Sequence, residues 1–328
     1  MDTHSPLRIV SLLPAATEIV AALGLQPNLV GRSHECDEPA DVASLPALTA
    51  PRIDATASSR EIHEQVGRAV TNPTSAGPAA ACNAGGSSSL FALDVDSLER
   101  LAPDLILTQA ACDVCAIAAA DVEAAARRMA RPPRVVALAA ENLAGIWADI
   151  LAVGAATGRL ARAREVVARL QARCDSVACR IRARARATGS RPPRVAVIEW
   201  LDPPMAAGNW VPELVCLAGG DDPLGHPGGH SHWITWDDVA AADPDVVVLV
   251  PCGFPLDRVV AEASSTAVQP HLQRLRASRE GRLWAVDGHH LFNRPGPRLV
   301  DSLEVLAAIL QPGAFQFPAT GRLARRLT

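Results

Sequence analysis

Cys112 and Cys115 stand at CxxC spacing in Cys112-Asp113-Val114-Cys115, separated by three residues from the preceding apolar run Leu105-Ile106-Leu107-Thr108. A turn of this kind leading into a helix can lower a thiol pKa, as redox pairs require, and two thiolates are also half of a four-ligand zinc set. No second CxxC completes such a set, so a structural or cleft-lining role stands beside the redox one. His34 and Cys36 form a second cluster in Ser33-His34-Glu35-Cys36-Asp37, and His226, His230 and His232 crowd a Gly-Pro loop. Imidazoles take transition metals, but this loop has no carboxylate or thiolate fixed at helical spacing, so it reads as a polar loop rather than a cage. Trp210, in Gly208-Asn209-Trp210-Val211-Pro212, offers either a flat apolar face for stacking or an anchor for the core, and Phe254 and Phe292 are candidates of the same kind. Arg294 and Arg298 flank Pro295-Gly296-Pro297, stiff enough to hold a guanidinium fork toward acceptor groups. No G-x-S-x-G elbow, P-loop or G-x-G-x-x-G stands in a strand-to-helix context, so no catalytic residues are assigned and no enzyme is expected.

The elements that must position these residues come in two similar sets. Arg8-Ile9-Val10-Ser11-Leu12 is answered by Arg194-Val195-Ala196-Val197-Ile198, and Pro103-Asp104 with its apolar run by Pro244-Asp245-Val246-Val247-Val248-Leu249. Short continuous apolar runs bounded by Pro, Gly and Asp suit parallel strands covered on both faces. Helical spacing of apolar residues predicts helices over 15–23, 122–129, 143–156, 212–218 and 299–310, and Leu283 to Val286 reads as a further strand. The class is therefore α/β, with two lobes holding central parallel sheets and a cleft between them. Between the halves, residues 161–188 are rich in Ala and Arg, with Val166, Val167, Leu170, Cys174, Val177 and Ile181 at helical intervals, and predict one long connecting helix with a solvated arginine face. The expected boundaries are 1–158 for the first lobe, 159–190 for the connecting helix, 191–315 for the second lobe and 316–328 for a tail. Thr71 to Ser89, rich in Ala, Gly, Ser, Pro and Asn, reads as a mobile loop.

Net charge is −4 over 328 residues and no basic tract is present, which argues against nucleic acid. No apolar stretch reaches the roughly 20 residues of a membrane-spanning helix, so a soluble, globular chain is expected. Met1 to Pro6 carries no Lys or Arg and has no secretory pattern, and eight cysteines are too sparse for a disulfide scaffold. As written the chain is expected in the cytoplasm, or outside it if the true start lies upstream.

Ser11-Leu12-Leu13-Pro14-Ala15-Ala16-Thr17-Glu18, Ser33-His34-Glu35-Cys36-Asp37, Leu107-Thr108-Gln109 with Cys112 to Cys115, Glu199-Trp200-Leu201-Asp202-Pro203-Pro204, and Arg294-Pro295-Gly296-Pro297-Arg298 occur in that order. Together they resemble the cobalamin-binding proteins of ABC importers, from Arg8 to about Pro312. The resemblance implies two Rossmann-like lobes joined by one long helix, a corrinoid lying flat between them, and delivery to an ABC permease dimer by a monomer. It implies ligand contact for the turn of His34 and Cys36, for Cys112 and Cys115, and for Trp210, Phe254, Phe292 and Arg294. Family members can place a carboxylate near His290, so an imidazole there becomes a candidate hydrogen-bonding group or cobalt ligand. Since neighbours on an extended segment point to opposite sides, only one of His289 and His290 would face the ligand. The resemblance also implies permease docking through an acidic residue on each lobe, for which Asp96 and Glu213 are the nearest matches. Two rival readings remain: an iron-siderophore or heme binding protein, and a thiol-disulfide enzyme using Cys112 and Cys115.

Overall fold

The computed structural model describes residues 6–71, 90–110, 117–317 and 323–327. The chain divides into two compact units, one of Met1–Ala57, Glu61–Ala140 and Gly145–Val167, the other of Ser58–Arg60, Glu141–Ala144 and Ala168–Thr328.

Through the first half the elements are β1 (Ile9–Ser11), α1 (Pro14–Ala22), β2 (Leu29–Arg32), β3 (Thr49–Pro51), α2 (Ser59–Thr71), β4 (Phe91–Leu93), α3 (Val95–Leu101), β5 (Leu105–Gln109), α4 (Ala119–Arg128), β6 (Arg134–Leu138) and α5 (Leu143–Ala156). Four of the strands form a parallel sheet in the order β2-β1-β5-β6, and β3 and β4 pair antiparallel on their own. The unbroken apolar runs of β1 and β5 are explained by burial on both faces: Val10 and Ile106 pack with Leu98 of α3 and with Val122, Ala125 and Met129 at α4.

The second half runs α6 (Leu160–Thr188), β7 (Val195–Leu201), β8 (Pro204–Ala206), α7 (Val211–Leu217), β9 (His232–Trp233), α8 (Trp236–Ala242), β10 (Val246–Leu249), α9 (Leu256–Ala263), α10 (Gln269–Gln273), α11 (Arg276–Arg279), β11 (Leu283–Val286), α12 (Leu299–Leu310) and β12 (Ala324–Leu327). Its sheet has the order β12-β11-β10-β7-β8-β9. The central β11-β10-β7 pairings are parallel, and β12, β8 and β9 are antiparallel additions. The expected tail is thus corrected: residues 324–327 are an edge strand paired with β11.

The internal repeat is a repeat of hydrogen bonds. In one unit Asp104 Oδ2 accepts from Arg8 N–H at 2.9 Å, while Asp104 N–H returns a bond to Arg8 O and Arg8 Nε donates to Leu101 O at 3.0 Å. In the other, Asp245 Oδ2 accepts from Arg194 N–H at 2.8 Å, Asp245 N–H donates to Arg194 O, and Arg194 Nε donates to Ala242 O at 3.0 Å. Both copies follow a helix that ends in a left-handed residue, Ala102 and Asp243, each at φ 41° and each followed by Pro, which cannot continue a helix. Each clasp aligns two neighbouring parallel strands, β1 with β5 and β7 with β10.

The connecting helix α6 has 29 residues, about 43 Å at the usual rise. Ala163, Val166, Leu170, Cys174, Val177 and Ile181 are its buried stripe. Not every arginine on it is merely solvated: Arg173 bonds Asp301 at 2.7 Å and Glu304 at 3.1 Å, and the Arg180 guanidinium lies 4.0 Å from the centre of the Phe315 ring. Among the described residues no helix is long and apolar enough to cross a membrane.

Candidate functional site

In open α/β sheets ligands gather beyond the carboxyl ends of the strands. In the first unit β1 leads to Leu12-Leu13-Pro14 and β2 to Ser33-His34-Glu35. With Thr49, Phe91 and Ile117 these turns line a recess of about 210 Å³, counting the open space at its mouth. Pro14 opens α1 at the position where a missing N–H costs nothing. His34 is half-buried at the recess: its N–H donates to Thr49 Oγ1 at 3.1 Å, and its Nδ1 lies 2.8 Å from the same oxygen. Burial, with help from Arg32 and against Glu35, lowers its pKa below the ordinary histidine value. Phe91 packs its ring 5.4 Å from the imidazole, tilted by 39°.

Cys36 behaves differently from its neighbour. It is 1% exposed, and Thr17 Oγ1 lies 3.0 Å from its sulfur and 2.8 Å from Ser11 Oγ. These contacts hold the turn to β1 and α1 and cover the thiol.

In the second unit the matching ends are Pro251-Cys252-Gly253-Phe254 after β10 and Asp287-Gly288-His289-His290 after β11. The two loops touch so closely that a Cβ on Gly288 would stand 2.1 Å from Pro251 O, so only glycine fits there. Asp287 organises the histidines: Oδ1 accepts from His289 N–H at 3.0 Å and from His290 N–H at 2.8 Å, and Oδ2 lies 3.2 Å from His290 Nδ1. Burial acts to raise the Asp287 pKa, but these bonds outweigh it and hold the carboxyl below its usual range. The His289 ring lies edge-on to His290 at 4.6 Å, and its Nε2 is 2.9 Å from an Arg294 guanidinium nitrogen.

The expected aromatic platform is packed inside. Trp210, Phe254 and Phe292 are 8%, 2% and 1% exposed, too little to offer a flat ligand a face without moving. The Trp210 indole donates to Phe292 O, Phe254 sits edge-on to Trp200 at 5.3 Å, and the Arg258 guanidinium covers the Phe254 ring at 3.5 Å. Arg294 is buried as well, with a guanidinium nitrogen 2.9 Å from His289 Nε2.

Elsewhere in this unit, Ser231 links Glu199 Oε2, at 2.7 Å, to the Gly208 N–H. The His226 and His232 rings meet edge-on at 4.7 Å beside Asp222, whose buried carboxyl is pushed up to about 6. Of the two docking candidates, Asp96 is exposed in the first turn of α3, whereas Glu213 is half-buried and accepts from Leu143 N–H at 2.8 Å. Cys112 and Cys115 lie outside the described residues, as do residues 72–89 of the expected loop. Thr49 and Asp287 are the polar groups that sequence reasoning missed; an Asp-Gly pair closing a strand was the available signal for the second, and Thr49 had none.

Residues 9–288 match the family model described as periplasmic binding protein. The chain belongs to this family. No curated protein matches it. Among solved structures, this periplasmic binding protein is similar to a periplasmic heme binding protein from Pseudomonas aeruginosa, at 21% identity and TM-score 0.72, with 98% of each chain covered. It is also similar to the periplasmic vitamin B12 binding protein BtuF of Vibrio cholerae, at 18% identity and TM-score 0.62, covering 93% of this chain and 96% of that one. The periplasmic heme-binding protein RhuT from Roseiflexus sp. RS-1 matches at 22% identity and TM-score 0.65, over 94% and 100% of the two chains. At these identities the likeness establishes a shared α/β fold.

Proposed function

We propose that this periplasmic binding protein binds cobalamin or a related corrinoid and hands it to an ABC permease, without catalysing a reaction. The observation that carries the reading is the placement of imidazoles at strand carboxyl ends in each unit, His34 after β2 and His289 and His290 after β11. Neutral imidazole is a good ligand for a metal of cobalt's character and a good hydrogen-bond partner for peripheral amides. The ordered motifs from Ser11 to Arg298 and the fold likeness to a vitamin B12 binding protein support the same assignment.

Heme is the second reading, favoured by the likeness to two heme-binding structures and by the fact that iron in heme accepts the same imidazoles. The chain has no tyrosine, so a phenolate ligand is not available to it. Titration with cyanocobalamin, cobinamide and hemin, followed by visible absorbance and calorimetry, separates the two. Saturable binding of a corrinoid at one equivalent is expected; tight binding of hemin with no corrinoid binding would transfer the assignment to heme.

A further inference from the structure

We propose that His34 is built to present the lone pair of its Nε2 to the metal of a bound tetrapyrrole, and that Thr49 and Ser33 fix the tautomer that makes this possible. The inference rests on the proposed metal-tetrapyrrole ligand and adds how one residue would engage it. Thr49 Oγ1 meets three groups: His34 N–H at 3.1 Å, His34 Nδ1 at 2.8 Å and Ser33 Oγ at 3.1 Å. A hydroxyl has a single hydrogen. With that hydrogen donated to Ser33 Oγ, the short contact to Nδ1 is a hydrogen bond only if Nδ1 carries the imidazole proton. A neutral ring then has its lone pair on Nε2, the arrangement in which an outer partner fixes the tautomer of a metal-ligating histidine.

The surroundings of Nε2 agree. Glu35 Oε1 is 4.0 Å away from it, beyond hydrogen-bonding distance. Ser33 and Thr49 are 4% and 6% exposed, so water does not compete for the network that sets the proton. Leu12, Pro14, Phe91 and Ile117 supply apolar walls, and the tilted Phe91 ring limits rotation of the imidazole. The recess is small, about 210 Å³ even when the open space at its mouth is counted. It frames a projecting side chain against the face of a larger flat molecule.

Two measurements test this. Nitrogen-15 NMR of the ligand-free protein with labelled histidine should show His34 protonated at Nδ1 and bare at Nε2, and Thr49→Val should erode that preference. An Nε2–H tautomer in the parent would overturn the proposal, because the network would then run from Ser33 through Thr49 into Nδ1. Electron paramagnetic resonance of bound Co(II) cobinamide, and of bound ferric heme if hemin binds instead, should show coupling that changes with the nitrogen-15 label. His34→Ala should abolish the change while the macrocycle still binds, and Thr49→Val should weaken metal ligation roughly 10- to 100-fold, the usual effect of losing an outer partner. Binding with coupling that ignores the label, or that survives in His34→Ala and disappears in His290→Ala, would sink the inference and leave the proposed function standing. Failure of cyanocobalamin, cobinamide and hemin alike to bind would overturn the proposed function itself, and the ligation with it.

Discussion

Trp210 and Phe292, 82 residues apart, hold each other in place: the indole N–H donates to the Phe292 carbonyl at 2.6 Å, and Phe292 sits at φ 63°, in the left-handed region. That conformation costs a non-glycine residue about 1–2 kcal/mol. The cost is met because the Phe292 N–H is also satisfied, donating to Ser302 Oγ at 2.9 Å.

Removing the indole N–H should therefore be felt as instability. Trp210→Phe leaves the Phe292 carbonyl without its donor and should lose about 1–3 kcal/mol in urea unfolding. Trp210→Ala, which also opens a cavity, should lose about 3–5 kcal/mol. An unchanged midpoint in Trp210→Phe would show that the bond contributes nothing. A fall in ligand affinity in either variant counts as evidence of contact only after the loss of fold has been measured.

Asp222 gives a pH dependence of definite sign. Burial pushes its carboxyl up to about 6, against the pull of two backbone N–H bonds from Leu224 and Gly225, with Asp221 raising it further and His226 lowering it. A raised carboxyl favours the protonated fold, so its contribution is complete below the unfolded pKa and is lost as pH rises through about 6. Relative to the parent, Asp222→Asn, which retains an oxygen to accept the same two bonds, should gain on the order of 1–3 kcal/mol between pH 4 and 7. Parallel stability curves for the two proteins across that range would refute the shift.

Asp96 and Glu213 should not behave alike, although both are candidates for permease docking. Asp96→Arg changes an exposed charge at a helix start and should cost less than about 1 kcal/mol. It should reduce uptake in proteoliposomes carrying the permease while leaving ligand affinity intact. Glu213→Arg removes the acceptor for Leu143 N–H and should lower the melting temperature by itself. Undiminished uptake with Asp96→Arg would remove it from the docking surface.

What could be read in the sequence is what periodicity records. α5 and α12 were legible from end to end because their apolar residues recur at helical spacing, and β11 because it is a short apolar run between polar turns. The paired clasps were visible as repeated Arg and Pro-Asp signals, since each motif sits at the start of a strand. β8, β9 and β12 were not legible: Pro204–Ala206, His232–Trp233 and Ala324–Leu327 have too few residues to show alternation and become strands only by pairing with a distant edge. The same limit applied to the site. His34 carries recognisable chemistry, but Thr49, 15 residues away, joins it only through the fold. Trp210 was readable as an aromatic in a loop, and its direction was set by Phe292.

β12 has a consequence for solubility. Without it the sheet would end in β11, Leu283-Trp284-Ala285-Val286, an uncharged apolar row whose open N–H and C=O groups would be a template for the strand of another molecule. Pairing with β12 covers that row and replaces it with an edge bearing Arg325 and Arg326. An edge of four residues that carries two arginines, one of them paired with Asp257 at 2.8 Å, is a poorer template for another strand than the bare β11 row would be.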